Sequence, residues 1–146
     1  MTKPRILDFP SVLNFRDFGN YQTTGGARIK PRQLFRSAHL SNATPEDLAQ
    51  IGNLNIGLIV DLRYKPERRR QPNRWPESQS PHILEYPDAP EMRDAKIAPH
   101  EMFVREDLSK PQDARDYMNK SYSVRAHDVG FKQIFGDTLR FMARTG

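Results

Sequence analysis

Asp61 and Arg63 are the residues best placed for site chemistry, because they end the nearly continuous apolar run of residues 56–62. Alternation along a strand would place both side chains on one face and Leu62 on the other. A carboxylate beside an arginine stays ionised, which suits a counter-ion or an orienting partner better than a general acid. The guanidinium could bind an anion such as phosphate, but a salt bridge from the strand end to a helix explains the pair equally well. The sequence leaves both interpretations open.

Two further polar groups precede that run. Arg36 and Ser37 follow two apolar residues at a predicted strand end. There the planar donor fork of the arginine suits phosphate, although backbone carbonyls would also satisfy both side chains. Arg16 stands next to Asp17 between apolar neighbours. It could face a phosphate group, or it could form an internal ion pair with Asp17 that holds the amino-terminal arm on the core.

Metal and cofactor chemistry is not indicated by the sequence. The four histidines, His39, His82, His100 and His127, show no i, i+3 or i+4 spacing, so a metal site is not expected. The chain contains no cysteine, which removes disulfides and cysteine-based metal sites from consideration. We therefore expect neither a metal nor another cofactor.

The elements that must position these residues are a helix and the strand that follows it. A helix is predicted from Pro45, because Thr44 can cap it, Pro45 suits the first helical position and Asp47 can complete a capping box. The apolar run at 56–62 predicts a strand covered on both faces, as in a parallel or mixed sheet. Ligands gather at the carboxyl edge of such sheets. The order of elements favours an α/β domain.

The remaining segments predict loops first and helices later. Gly25 and Gly26 are expected to form the turn of a hairpin. Seven prolines in residues 66–99 predict loops that could cover the site, with one short strand at 82–86. Helices are predicted at about 112–121 and 128–144. The second of these carries a 3.6-residue apolar stripe, made of Phe131, Ile134, Phe135, Leu139 and Met142.

Size and charge set the broad class. At 146 residues and 16.9 kDa, the chain is expected to form one domain over residues 1–146. The net charge is +5, and residues 61–75 alone hold six basic and two acidic side chains. Such a cluster indicates either an anionic partner or a solvated loop. Because no segment resembles a signal peptide or a membrane span, a cytoplasmic protein without a transmembrane segment is expected.

Three phrases occur in an order that resembles one family. They are NFRDFGNY at residues 14–21, LFRSAHL at 34–40 and DLR at 61–63 with Glu67. This order is similar to the amino-terminal half of bacterial and fungal tyrosine-phosphatase-like proteins, whose pattern runs NFRDxGxY, LFRSxxL and DLRxxxE. The resemblance covers about residues 10–70.

The resemblance implies a fold and a reaction. The fold would be a mixed, mostly parallel sheet flanked by helices, truncated here before the nucleophile strand and loop. In that family a loop of the form His-Cys-x-x-Gly-x-x-Arg supplies the thiolate and cradles the phosphate. This loop is expected after Gly146, so the chain should be catalytically silent without it. The implied substrates are phosphotyrosine proteins, other phosphoresidues or phosphoinositides, and the residues expected to face them are Arg36, Ser37, Asp61, Arg63 and Arg16.

A non-enzymatic binding module is the alternative from a different class. Its basic stretch at 63–74 would hold an acidic lipid headgroup, a phosphopeptide or RNA. Nucleic-acid binding through charge alone is not expected, since Tyr64 and Trp75 are the only aromatic residues near that stretch and no stacking platform is evident. A chain that lacks the nucleophile strand is also expected to self-associate through an unpaired sheet edge and a partly uncovered apolar stripe.

Overall fold

The computed structural model describes residues 5–87, 100–101 and 111–145. The chain divides into unit 1, formed by Met1–Gly57 with Gln71–Ser80, and unit 2, formed by Leu58–Arg70 with Pro81–Gly146. The elements in chain order are β1 (Arg16–Asp17), β2 (Phe35–Arg36), α1 (Pro45–Gly52), β3 (Leu58–Asp61), α2 (Lys65–Arg70), β4 (His82–Glu85), α3 (Pro111–Arg125) and α4 (Val129–Thr145). The α/β class predicted from the sequence is confirmed.

Unit 1 is built on a short antiparallel ladder. Strands β1 and β2 pair so that Arg16 lies opposite Arg36 and Asp17 lies opposite Phe35. Phe35 packs on the core of this unit, which places the two arginines on the other face of the ladder. The buried side chains of that core are Phe9, Val12, Phe15, Leu40, Ala43 and Ile51.

Helix α1 begins as the sequence predicts. The Thr44 side chain accepts a hydrogen bond from Asp47 N, and the Asp47 carboxylate lies 3.4 Å from Thr44 N, so the capping box is complete. The Asp47 side chain is buried and also accepts a hydrogen bond from the Ser11 hydroxyl. That bond lowers the pKa of Asp47 despite burial. The cap therefore anchors the chain around Ser11 as well as the helix.

The hairpin predicted around two glycines is confirmed. Ile29 N donates to Tyr21 O at 3.0 Å, and Thr23 N donates to Ala27 O at 2.8 Å. Gly26 has a φ of +81°, which a residue with a side chain rarely adopts, so a glycine suits the turn.

Unit 2 contains the parallel pair β3–β4, with Leu58 opposite His82 and Asp61 opposite Glu85. The expectation that the strand is covered on both faces is wrong for the described part of the chain. Leu58, Ile59 and Val60 are only half-buried, and Leu62 is 42% exposed. The reason is that β3 pairs there with β4 alone, in a sheet too small for a full layer of helices on each side.

Helix α2 occupies part of the proline-rich segment that predicted loops. Pro66 is tolerated in its first turn, where its missing N–H costs no intrahelical bond. The Glu67 carboxylate accepts from Tyr64 N at 3.0 Å and so supports the beginning of the helix. The short strand predicted at 82–86 is confirmed as β4. Residues 88–99 of that segment lie outside the described residues.

The two later helices are confirmed, and α3 runs four residues further than predicted. The stripe on α4 is buried only in part. Phe131 and Ile134 are buried with Tyr86, whereas Phe135, Leu139 and Met142 are 46%, 66% and 38% exposed. Gly146, expected to follow the helix end, lies outside the described residues. Among the helices that are described, none combines the length and the apolar character of a membrane span.

Candidate substrate site at the end of strand β3

Asp61 and Arg63 form a bidentate ion pair at the carboxyl end of β3. Arg63 Nε donates to Asp61 Oδ1 at 2.9 Å and Nη2 donates to Oδ2 at 2.7 Å. The backbone N–H of Arg63 reaches the same Oδ1 at 3.1 Å. Two parallel bonds between a guanidinium and a carboxylate fix the plane of the arginine. The two side chains therefore lie together, as their spacing predicts.

The Asp61 carboxylate is ionised in this setting. Its side chain is 8% exposed, and burial by itself raises the pKa of a carboxyl. The hydrogen bonds and the positive charge of Arg63 outweigh burial and hold the pKa of Asp61 below its usual value, with a smaller contribution from Arg68. A carboxylate held ionised is suited to orient Arg63 and not to donate a proton, as expected from the sequence.

Arg68 is a member of the site that sequence reasoning missed. A solvated loop, one of the two explanations that the sequence offers for this basic cluster, is wrong for Arg68, although Arg69 and Arg70 are exposed. Its side chain is 11% exposed, and its Nε lies 3.4 Å from Glu85 Oε2. Its Nη1 donates to Arg63 O and, at 3.4 Å, to Tyr86 O. Because Arg63 follows β3, Glu85 ends β4 and Tyr86 follows it, Arg68 clamps the ends of both strands.

The reason for this difference is helix α2. A turn would leave three consecutive arginines in solvent, whereas one helical turn rotates Arg68 towards the strands and leaves Arg69 exposed. The sequence signal that could have revealed the helix is Glu67 three residues after Tyr64, next to Pro66 at a tolerated position.

Tyr86 joins the end of β4 to the beginning of α4. Its N–H donates to Asp61 O at 2.9 Å, and its hydroxyl donates to Asp128 Oδ1 at 3.0 Å. The same Asp128 oxygen accepts from Phe131 N at 2.9 Å, which caps α4. A side chain at Gly130 would meet the Tyr86 ring, since an added Cβ would lie 2.8 Å from Tyr86 Cζ. The end of β3, the end of β4 and the helix are thus held by direct contacts.

The other three candidates, Arg16, Arg36 and Ser37, belong to unit 1. The predicted ion pair between Arg16 and Asp17 is not formed. Asp17 instead accepts from Gly19 N at 2.7 Å and from Arg32 N at 2.8 Å, which shapes the loop after β1. Arg16 is half-buried, Arg36 is exposed, and Ser37 is half-buried. The alternative in which Arg16 faces an anion remains a prediction.

The histidines make contacts of different kinds in separate places. The His39 ring lies 2.7 Å from the Ser41 hydroxyl, His82 stacks on Phe141, and His100 lies 3.7 Å from Glu67. Within the described ranges, no three acidic or histidine side chains lie close enough together to hold a metal ion.

A family described as the tyrosine phosphatase family matches residues 7–145. The chain belongs to the tyrosine phosphatase family. The family resemblance predicted from the three sequence phrases is therefore confirmed. The match extends well beyond residues 10–70, the range over which the phrases indicated it.

Two curated relatives support the assignment. This family member is 28% identical over 142 residues to the triple specificity protein phosphatase PtpB of Mycobacterium tuberculosis. The aligned region covers 97% of the chain and 49% of PtpB. It is 32% identical over 62 residues to a putative tyrosine-protein phosphatase of Cupriavidus necator, which covers 42% of the chain and 23% of that protein. The chain thus spans at most about half the length of these relatives.

Proposed function

We propose that this chain is the amino-terminal part of a phosphatase that hydrolyses phosphate monoesters through a cysteinyl-phosphate intermediate. The observation that carries the proposal is the family match over residues 7–145 together with coverage of 49% of PtpB. The 146 residues contain no cysteine. The nucleophile loop, of the form His-Cys-x5-Arg, is expected after residue 146.

Asp61 and Arg63 are proposed to face the phosphorylated substrate, with Arg63 as the residue that contacts the phosphate and Asp61 as the residue that orients it. The ionised carboxylate holds two donors of the guanidinium at 2.9 and 2.7 Å, so the arginine is oriented before a ligand arrives. Preorganised donors bind an anion without an added ordering cost. Arg68 would act as a positioning residue, because it fixes the carbonyl of Arg63. The chemistry is proposed to need no metal, since the thiolate itself attacks the phosphorus.

Phosphotyrosine proteins and phosphoinositides are the proposed substrates. Both present a phosphate monoester on a hydroxyl, and cleavage of that ester by a thiolate has the same requirements in either case. Action in the cytoplasm stays a prediction.

The test is turnover of an aryl phosphate by two forms of the protein. The 146-residue chain is expected to be silent, because it has no nucleophile. The product of the reading frame extended to its stop codon is expected to be active, and substitution of the loop cysteine by serine should abolish that activity while leaving the protein folded. Activity of the short chain that persists through stringent purification, or an extended form that contains no such cysteine, would overturn the proposal.

A non-enzymatic anion-binding module is the second candidate. The absence of cysteine favours it, but the basic stretch at 63–74 is largely occupied by internal contacts. Arg68 donates to the carbonyls of Arg63 and Tyr86, Arg70 pairs with Glu101, and Arg74 Nη1 donates to Ala43 O at 2.6 Å. Arginines held in this way have fewer donors for a partner, which argues against this stretch as a docking surface. A stop codon directly after residue 146 would favour the module.

A further inference from the structure

Arg16 and Arg36 face each other directly across the β1–β2 ladder. Opposite residues in an antiparallel pair project to the same face, with Cβ atoms about 5 Å apart. Two like charges in this arrangement repel each other and destabilise the pair. Such a pair is therefore expected to have a compensating negative charge.

No compensating carboxylate is found in the described part of the chain. Neither guanidinium makes a hydrogen bond or an ion pair with another described residue. The nearest carboxylate in sequence, Asp17, lies on the opposite face of the strand, and its two oxygens accept from backbone N–H groups. The repulsion between the two arginines is therefore not relieved by a carboxylate of the described residues.

Apolar residues flank the two arginines on this face. Ile6 forms a bridge with Arg16 from the other side of β1. The next pair along the ladder is Phe18 and Leu34, joined by a 2.8 Å bond from Phe18 N to Leu34 O, and alternation places both on the arginine face. Arg16 is half-buried, and a charge partly removed from water is screened less, which strengthens both its repulsion from Arg36 and its attraction for an anion.

We infer that Arg16 and Arg36 together bind one phosphate monoester group. Each guanidinium presents a planar fork that matches two phosphate oxygens, and a dianion would neutralise both charges at once. The choice of phosphate as the ligand rests on the proposed function. The site itself needs no nucleophile, so the 146-residue chain should bind phosphate without hydrolysing an ester.

The first test is calorimetric titration of the chain with inorganic phosphate at low ionic strength. Arg16→Gln and Arg36→Gln are each expected to weaken phosphate binding about tenfold, the loss of one charge-assisted contact. Arg69→Gln removes the same charge from an exposed position in unit 2 and should leave the affinity unchanged. Equal effects of all three substitutions, or no measurable phosphate binding by the chain, would overturn the inference.

The second test separates binding from a loss of folding. Without phosphate, Arg36→Gln should unfold at the same temperature as the wild type or higher, because it removes a like-charge contact. With phosphate, the Tm of the wild type should rise while that of the variant does not. A variant that is less stable without phosphate and gains as much as the wild type with phosphate would show that Arg36 has a structural role only.

Binding to lipid vesicles shows whether the phosphate group that the site takes belongs to a lipid headgroup or to a free phosphate. Vesicles that contain phosphatidylinositol 4-phosphate carry a monoester, whereas phosphatidylserine vesicles of matched charge do not. If the wild type binds both inorganic phosphate and the first vesicles, and both variants lose both, the site takes any phosphate monoester. If both variants lose binding to inorganic phosphate but still bind the first vesicles as the wild type does, the site takes a free phosphate group and not a lipid headgroup. Equal binding of wild type and variants to inorganic phosphate as well as to both vesicles would count against the inference. Failure of catalysis in the extended protein would leave all of these binding results unaffected.

Discussion

The Asp61 carboxylate holds the Arg63 guanidinium with two parallel hydrogen bonds, from Nε to Oδ1 at 2.9 Å and from Nη2 to Oδ2 at 2.7 Å. The pair lies at the carboxyl end of a parallel strand, the edge at which ligands collect in α/β folds. The same contacts that keep the carboxylate ionised also keep the arginine oriented. The first two predictions concern these two properties, the orientation of Arg63 and the ionised state of Asp61.

In the extended protein, Arg63→Ala should weaken inhibition by phosphate or vanadate more than Arg69→Ala does. Arg63 is oriented by Asp61 at the strand end, whereas Arg69 is exposed on α2 and a single exposed charge contributes little. The expected loss at Arg63 is about tenfold in the inhibition constant, the scale of one charge-assisted contact. Inhibition constants that change equally, or more at Arg69, would refute the assignment of Arg63 to the substrate site.

The free energy of unfolding should fall as the pH drops below the usual pKa of an aspartate, 3.8. The pKa of Asp61 is lowered in the folded state, so the unfolded chain takes up the proton first. The contribution of the ionised Asp61 carboxylate to stability is complete above the pKa that it has in the unfolded chain. This contribution is lost as the pH falls through the lower pKa of the folded protein. Asp61→Asn should reduce this loss in acid denaturation experiments. An acid dependence that is the same in Asp61→Asn and in the wild type would contradict this role of Asp61.

Gly130→Ala should destabilise the protein, and Gly136→Ala on the same helix should not. A Cβ at Gly130 would lie 2.8 Å from Tyr86 Cζ and push the ring away from Asp128, at an expected cost of about 1–3 kcal/mol. At Gly136 the added Cβ would meet only Arg140, at 3.5 Å, so the helix should gain about 0.5–1 kcal/mol from replacing glycine. Chemical denaturation of both variants would measure this difference, and equal stabilities would contradict the packing seen at Tyr86.

The 146-residue chain should self-associate through the exposed apolar residues of α4. Phe135, Leu139 and Met142 lie on this face, and a patch of this kind is unfavourable in water. Leu139→Lys should shift the sedimentation profile towards monomer. Gln133→Lys adds the same charge elsewhere on the helix and should not. A monodisperse monomer of the wild-type chain, with strongly protected amides in β3, would show that the face needs no cover.

Local features could be predicted from the sequence because their partners lie a few residues apart. The capping box of Thr44 and Asp47, the glycine turn near Gly26 and the pairing of Asp61 with Arg63 all form within a single turn or strand end. Their geometry depends on the short chain segment itself. The family was likewise predictable, because its three phrases are read directly from residue order.

Only the tertiary structure decided which distant residues meet. Arg68 reaches Glu85 and Tyr86, which are 17 and 18 residues away, and Arg16 lies opposite Arg36 across a ladder. No local pattern encodes these contacts, because strand register depends on how the whole unit packs. The incomplete cover of β3 also lay beyond the sequence, whereas the partly uncovered stripe on α4 was expected from it. An apolar run shows that a segment favours burial, whereas its exposure is set by the elements packed against it.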